Sequence, residues 1–279
     1  MKKGKKKKKL EVITGYFENN LPYTCIGDNP RILIDLEALS YKNAPPSGFM
    51  LKEFIKTHKL LAKEFTIYLV GRKPNLLQGY SMKDMADDYA EMIKKEFGGP
   101  VDIMGYSTGG QIAHFLAADH PDVVRRLIIV SAAYRLSDKG VESERIAAEF
   151  AKQGKFNKSV SAIINIVYPP GLKKSMLKFM ARLFGKQLMG CSKDSSDFLV
   201  TVEADRNMNF KDRLSEIKTP TLVMSGELDE GYTADLVRET AEGIPNAELI
   251  LYEGYAHNLT TDNTEEVQQV ILEFLKKEL

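Results

Sequence analysis

The chain has 279 residues, of which 43% are hydrophobic and 28% charged, and its net charge is +1. These values suit a folded α/β domain and exclude collagen-like, low-complexity and globally disordered classes. Seven lysines fall within the opening MKKGKKKKKL, so the remainder carries −6, and a globally basic nucleic-acid-binding body is excluded.

Residues 1–10 read as a basic disordered tail that could touch anionic lipid or RNA. No apolar h-region follows it, so a secretory signal is not predicted. Nothing approaches the roughly 18 apolar residues of a membrane span, so no stable membrane anchor is predicted. Cys25 and Cys191 lack metal-type spacing and read as free buried thiols in a reducing compartment, which predicts a cytoplasmic protein.

LEVITG and LPYTCIG read as short strands of an opening hairpin, and RILIDL (31–36) as a strand behind Pro30. GFMLKEFIKTHKLLAKEF has helical apolar spacing, TIYLV (66–70) is strand-like, and GRKPNLLQG is a loop. SMKDMADDYAEMIKKEF opens on a capping box of Ser81 and Asp84. Asp84, Asp87 and Asp88 read as capping and surface charge, because neighbouring aspartates on a helix point in different directions.

VDIMG is a strand, GGQIAHFLAADH a helix stopped by Pro121, and LIIVSA (127–132) a strand. The series resumes with TLVMSG (221–226), a helix from about Ala234, ELILYEG (248–254) and the terminal helix TEEVQQVILEFLKKEL. This alternation predicts a mostly parallel central sheet with helices on both faces. Residues 134–217 break it with helical patches and predict a helical cap inserted into a core of residues 11–133 and 218–279. Within the cap, SMLKFMARLFGKQLM reads either as the wall of an apolar acyl pocket or as the inward stripe of a cap helix.

Gly105, Ser107 and Gly109 form G-x-S-x-G between a predicted strand and a predicted helix. That context makes a nucleophile elbow: the serine is held on a strained turn, and the residues two away must be small. The following helix aims its first N–H, from Thr108, at a developing oxyanion. A serine nucleophile needs a base and an orienting acid, here expected in the order Ser, Asp/Glu, His. Four histidines exist. His58 reads as a surface residue, His114 as packed or partly exposed within its helix, and His120 as a helix-terminal residue. His257 lies in a loop just past a predicted strand and is the candidate base. TLVMSGELDEG offers Glu227, Asp229 and Glu230. Asp229 is far enough into the loop to turn toward the histidine, with Glu230 as the alternative.

GYSTG, GELD and GYAH, with ADHPDVVRRLIIVSA and IKTPTLVMSGELD around them, resemble the α/β-hydrolase superfamily, and within it the capped esterases and enol-lactonases. The resemblance runs from about residue 12 onward and is weakest in the cap. It implies an α/β-hydrolase fold with Ser107 as nucleophile, His257 as general base and Asp229 as orienting acid. The superfamily usually carries His-Gly after its third core strand. Here Glu37 and Ala38 stand there, which makes Leu39 the second oxyanion donor beside Thr108. A register two residues earlier would make Glu37 the donor.

The implied activity is a serine hydrolase of esters, lactones or thioesters that needs no metal or organic cofactor. An acyltransferase or perhydrolase with the same residues, or a non-catalytic ligand-binding homologue, are the alternatives. The expected partner is a small-molecule substrate with an apolar acyl group, the protein acting as a monomer or homodimer.

Overall fold

The computed structural model describes residues 10–191 and 194–277. The lysine run at 1–9, read above as a disordered tail, lies outside the described residues.

The chain opens with β1 (Val12–Tyr16) and β2 (Pro22–Ile26), which pair antiparallel as a hairpin. Then follow β3 (Ile32–Leu36), α1 (Gly48–His58), β4 (Thr66–Val70), α2 (Met82–Phe97), β5 (Val101–Tyr106), α3 (Thr108–Asp119) and β6 (Val124–Val130). Next come α4 (Asp138–Lys152), α5 (Phe156–Val167), α6 (Leu172–Leu188) and α7 (Ser196–Asn207). The chain closes with β7 (Thr221–Gly226), α8 (Ala234–Gly243), β8 (Ala247–Tyr252), a short α9 (Leu259–Asp262) and α10 (Thr264–Lys276).

The strands form one eight-stranded sheet in the order β1-β2-β4-β3-β5-β6-β7-β8. Only the pairs made by β2 are antiparallel; β4, β3 and β5 to β8 run parallel. Parallel strands need crossover helices, and these bury both faces of the sheet. Ile34 and Ile103 pack toward α2 and α3, while Leu33, Ile67 and Met104 pack toward α1 and α10. Ser81 caps α2 in a complete capping box with Asp84, as its spacing predicts.

Between β6 and β7 the chain is helical, α4 to α7, around its own apolar cluster of Ala147, Phe156, Val160 and Phe198. Tyr41, in the loop after β3, stacks on Phe198 at 4.1 Å and donates its hydroxyl to Ser159 on α5, 2.8 Å away. The cap is thereby fastened to the loop in which Leu39 lies.

Two expectations are corrected. His58 is buried, not on the surface. Its Nε2 lies 3.1 Å from Asp35 of β3, because α1 turns this edge of its polar face onto the sheet. Most bulky apolar residues of SMLKFMARLFGKQLM neither wall a pocket nor point inward: Met176, Phe179, Met180, Leu183 and Phe184 are exposed, while Leu177 is half-buried and Met189 packs on the cap cluster. Helix α6 instead packs through small residues, with Ala181 and Gly185 buried and Gly185 set against Val160 of α5. Cys25 and Cys191 are free and buried.

Candidate active site

Ser107 sits between the last residue of β5 and the first of α3, with φ 55° and ψ −122°. A serine is rarely found there, and the surroundings must hold it in place. The flanking glycines show how. A Cβ on Gly109 would lie 1.9 Å from the Leu36 carbonyl oxygen, and one on Gly105 would lie 2.5 Å from the Gly109 carbonyl oxygen. Strand β3, strand β5 and the first turn of α3 meet backbone to backbone, and no side chain fits between them. Thr108 opens α3, so its N–H is among those with no partner inside the helix.

The loop after β7 carries Asp229, and the loop after β8 carries His257, both at the carboxyl ends of parallel strands, as Ser107 is. His257 Nδ1 is 2.8 Å from Asp229 Oδ2. The other oxygen of Asp229 accepts from the Gly231 and Tyr232 N–H groups at 2.8 and 3.0 Å. Each carboxylate oxygen is thus engaged, and the carboxylate is fixed in orientation. Both residues are buried. Glu230, the alternative acid, turns to Lys139 and Lys174, while Glu227 turns to Arg238. His257 is also held by its backbone: Tyr106, the residue before Ser107, donates its hydroxyl to the His257 carbonyl at 2.8 Å. The Tyr232 ring stacks beside the imidazole at 5.9 Å, and its hydroxyl contacts Ser107.

The remaining histidines point elsewhere. His114 is fully buried, its Nδ1 2.7 Å from the Gly110 carbonyl, and burial lowers its pKa to about 4. His120 pairs with Asp87 at 2.6 Å.

After β3 the chain runs Glu37, Ala38, Leu39. The Leu39 N–H forms no hydrogen bond among the described residues, whereas the Glu37 N–H is spent on the Val70 carbonyl at 3.0 Å. The Glu37 N–H is therefore occupied, and the Leu39 N–H is not. The Glu37 carboxyl lies against Gly71, whose Cβ would sit 2.8 Å from it. Gly71 follows β4, on the side of β3 opposite β5, so this carboxyl faces away from Ser107. Burial pushes its pKa up to about 7 despite the nearby Arg72 guanidinium. Arg72 is itself buried and donates to the Glu37 carbonyl (2.7 Å), the Ala38 carbonyl (2.9 Å) and Ser40 Oγ (3.0 Å). One guanidinium fork thus pins the loop.

Sequence reasoning missed a polar group that the cap adds. Asp205 of α7 is fully buried and accepts from Thr108 Oγ1 at 2.5 Å, with the Tyr232 hydroxyl nearby. Gln111 donates to that same tyrosine at 3.0 Å. Burial raises the Asp205 pKa to about 6, and it raises the adjacent Glu144 of α4 well above the carboxylate range, with Asp205 adding to the effect. Nothing in the α7 sequence marks Asp205 as an inward residue.

The comparisons with known proteins agree with this architecture. A family model described as alpha/beta hydrolase fold matches residues 68–264. The RutD protein of Rhizobium rhizogenes, named as a candidate carbamate hydrolase, is 29% identical over 196 residues, 69% of this chain and 73% of that protein. The bifunctional esterase/perhydrolase DCH of Acinetobacter calcoaceticus is 26% identical over 220 residues, covering 74% of this chain and 78% of its own. Among solved structures, the enol-lactonase of Burkholderia xenovorans superposes with a TM-score of 0.72 at 17% identity, over 96% of each chain. A strained serine between obligatory glycines at the end of β5, on a fold shared at this extent, places the chain in the alpha/beta hydrolase family.

Proposed function

We propose that this protein is a serine hydrolase of small-molecule carboxylic esters, lactones or thioesters, with Ser107 as nucleophile, His257 as base and Asp229 as orienting acid. The observation that carries this reading is the 2.8 Å His257–Asp229 pair, set at the same sheet end as a serine held at φ 55°.

In the first step Ser107 Oγ attacks the carbonyl carbon, and His257 Nε2 takes its proton. Asp229, bonded to Nδ1, fixes the tautomer and stabilises the imidazolium. The Thr108 and Leu39 N–H groups receive the oxyanion. Collapse of the tetrahedral adduct expels the alcohol or thiol, which takes the proton from His257. Water then attacks the acyl-enzyme by the same route and releases the acid. Every proton is shuttled by His257, so the cycle calls for no metal or organic cofactor.

The name of the Acinetobacter relative, esterase/perhydrolase, favours a second reading in which hydrogen peroxide or another acceptor replaces water at the acyl-enzyme. The test is a hydrolysis screen of p-nitrophenyl esters from acetate to decanoate, run with a fluorophosphonate probe and with Ser107→Ala as blank. Turnover and labelling that vanish in Ser107→Ala are expected, and Asp229→Asn should lower kcat by about 10⁴-fold. An unlabelled wild type would instead mark a non-catalytic homologue. Adding peroxide or an alcohol and analysing products separates hydrolysis from transfer.

A further inference from the structure

Helix α6 turns bulky apolar side chains to solvent along its whole length. Leu172, Met176, Phe179, Leu183 and Phe184 are 92, 60, 61, 47 and 48% exposed. The spacing of Leu172, Met176, Phe179 and Leu183 keeps them on one stripe of the helix, with Phe184 on its flank. The helix is anchored by its opposite side, through Ala181 and Gly185, and makes most of its contacts with α5. An exposed apolar stripe this long marks an interaction surface.

Charge says what covers it. The 17 residues of α6 hold five basic residues and no acidic one. Lys173 and Lys174 pair with Asp262 and Glu230. Arg182 and Lys186 are exposed along one edge of the stripe and form no ion pair among the described residues. A second copy of the helix would set three cations without an ion pair among the described residues, Lys178, Arg182 and Lys186, against the same three, which disfavours self-association. The rest of the chain is acidic. Outside α6 and the seven N-terminal lysines there are 27 basic residues against 38 acidic, a net of −11. Positive charge is thus gathered on the apolar helix and on the N-terminal run. Apolar stripe plus flanking cations is the pattern of a helix lying in an anionic bilayer surface, and an added polybasic stretch supplies the second signal that stable attachment needs. Among the described residues no helix is long and apolar enough to cross a membrane, so α6 would lie on the bilayer and not span it.

We propose that α6 docks the protein reversibly on an anionic phospholipid surface, its apolar stripe among the acyl chains and Arg182 and Lys186 on lipid phosphates. Lys174 ties α6 to the loop that carries Asp229, and Lys173 ties it to α9, which follows His257. Docking therefore holds the two loops of the candidate site close to the bilayer.

The test uses the full chain and reads binding, not turnover. It is sedimented with phosphatidylcholine vesicles with and without about 30% phosphatidylglycerol, at low and high salt. The expected result is binding to the anionic vesicles that weakens with salt and falls at least about 10-fold in Met176→Gln/Phe179→Gln/Leu183→Gln, with the N-terminal lysines intact. Arg182→Glu/Lys186→Glu keeps the stripe and should also lose about 10-fold, which serves as the check should the triple variant fold poorly. Wild type that ignores both vesicles would overturn the proposal. So would variants that bind as wild type does, since the lysine run alone would then carry attachment. A wild-type dimer in sedimentation velocity that the triple variant dissolves would assign the stripe to a second copy and overturn it as well.

Discussion

The hydroxyl of Thr108, the residue directly after Ser107, donates at 2.5 Å to the carboxyl of Asp205, which a cap helix delivers to the sheet. A cap carboxyl thus sits one side chain away from a backbone N–H proposed to receive the oxyanion. When ionised it opposes that charge; when protonated it does not.

Burial holds the Asp205 pKa near 6, so the effect switches on across that value. Asp205→Asn should match wild-type kcat at pH 5 and exceed it severalfold at pH 8. The measurement is kcat against pH for both proteins, and a constant ratio across the range would contradict the assignment.

Arg72 holds three acceptors that flank Leu39, the Glu37 and Ala38 carbonyls before it and Ser40 Oγ after it. Lysine keeps the charge and loses the planar fork. Arg72→Lys should therefore lower kcat by about 10-fold or more with a much smaller change in KM, because a loosened donor is felt mainly in the transition state. Steady-state kinetics decide it, and an effect confined to KM would refute this role.

Glu37 has its pKa raised to about 7 by burial. An acid whose folded pKa exceeds its unfolded pKa costs stability when ionised. That cost is absent below the unfolded value, near 4.5, and complete above 7. Glu37→Gln removes it. Relative to wild type the variant should gain up to about 3 kcal/mol between pH 4.5 and pH 8. Urea melts at the two pH values test this, and an equal stability difference at both would count against it.

Gly109→Ala would drive a Cβ to 1.9 Å from the Leu36 carbonyl. Neither backbone can yield without moving the oxyanion loop. The variant should lose about 2–4 kcal/mol or more of stability and most of its turnover. A thermal melt and an ester assay read both losses, and a variant that keeps the wild-type Tm would show that the contact relaxes.

The strands, the α2 capping box and the elbow were legible because each rests on local pattern. Turn chemistry and chain order likewise brought Asp229 and His257 forward. Helix α7 was not legible. Its inward positions are Phe198, Thr201, Val202 and Asp205, and two of the four are polar, so no apolar stripe announces it. Helix α6 failed in the opposite way. Its stripe is plain in sequence, but periodicity cannot say whether protein or solvent lies against a stripe, and here the small residues face inward. His58 was misplaced because its partner Asp35 is distant in sequence.

The bond from Tyr106 to the His257 backbone links the two ends of the proposed proton path. Tyr106 is the covalent neighbour of Ser107, so the strand that presents the serine also moors the loop that presents the imidazole. A displacement of β5 would therefore carry the proposed base and the proposed nucleophile together, as two tools bolted to one mount. The separation of the proposed base and nucleophile is then set first within the core, with the cap bearing on it through Asp205 and Lys174.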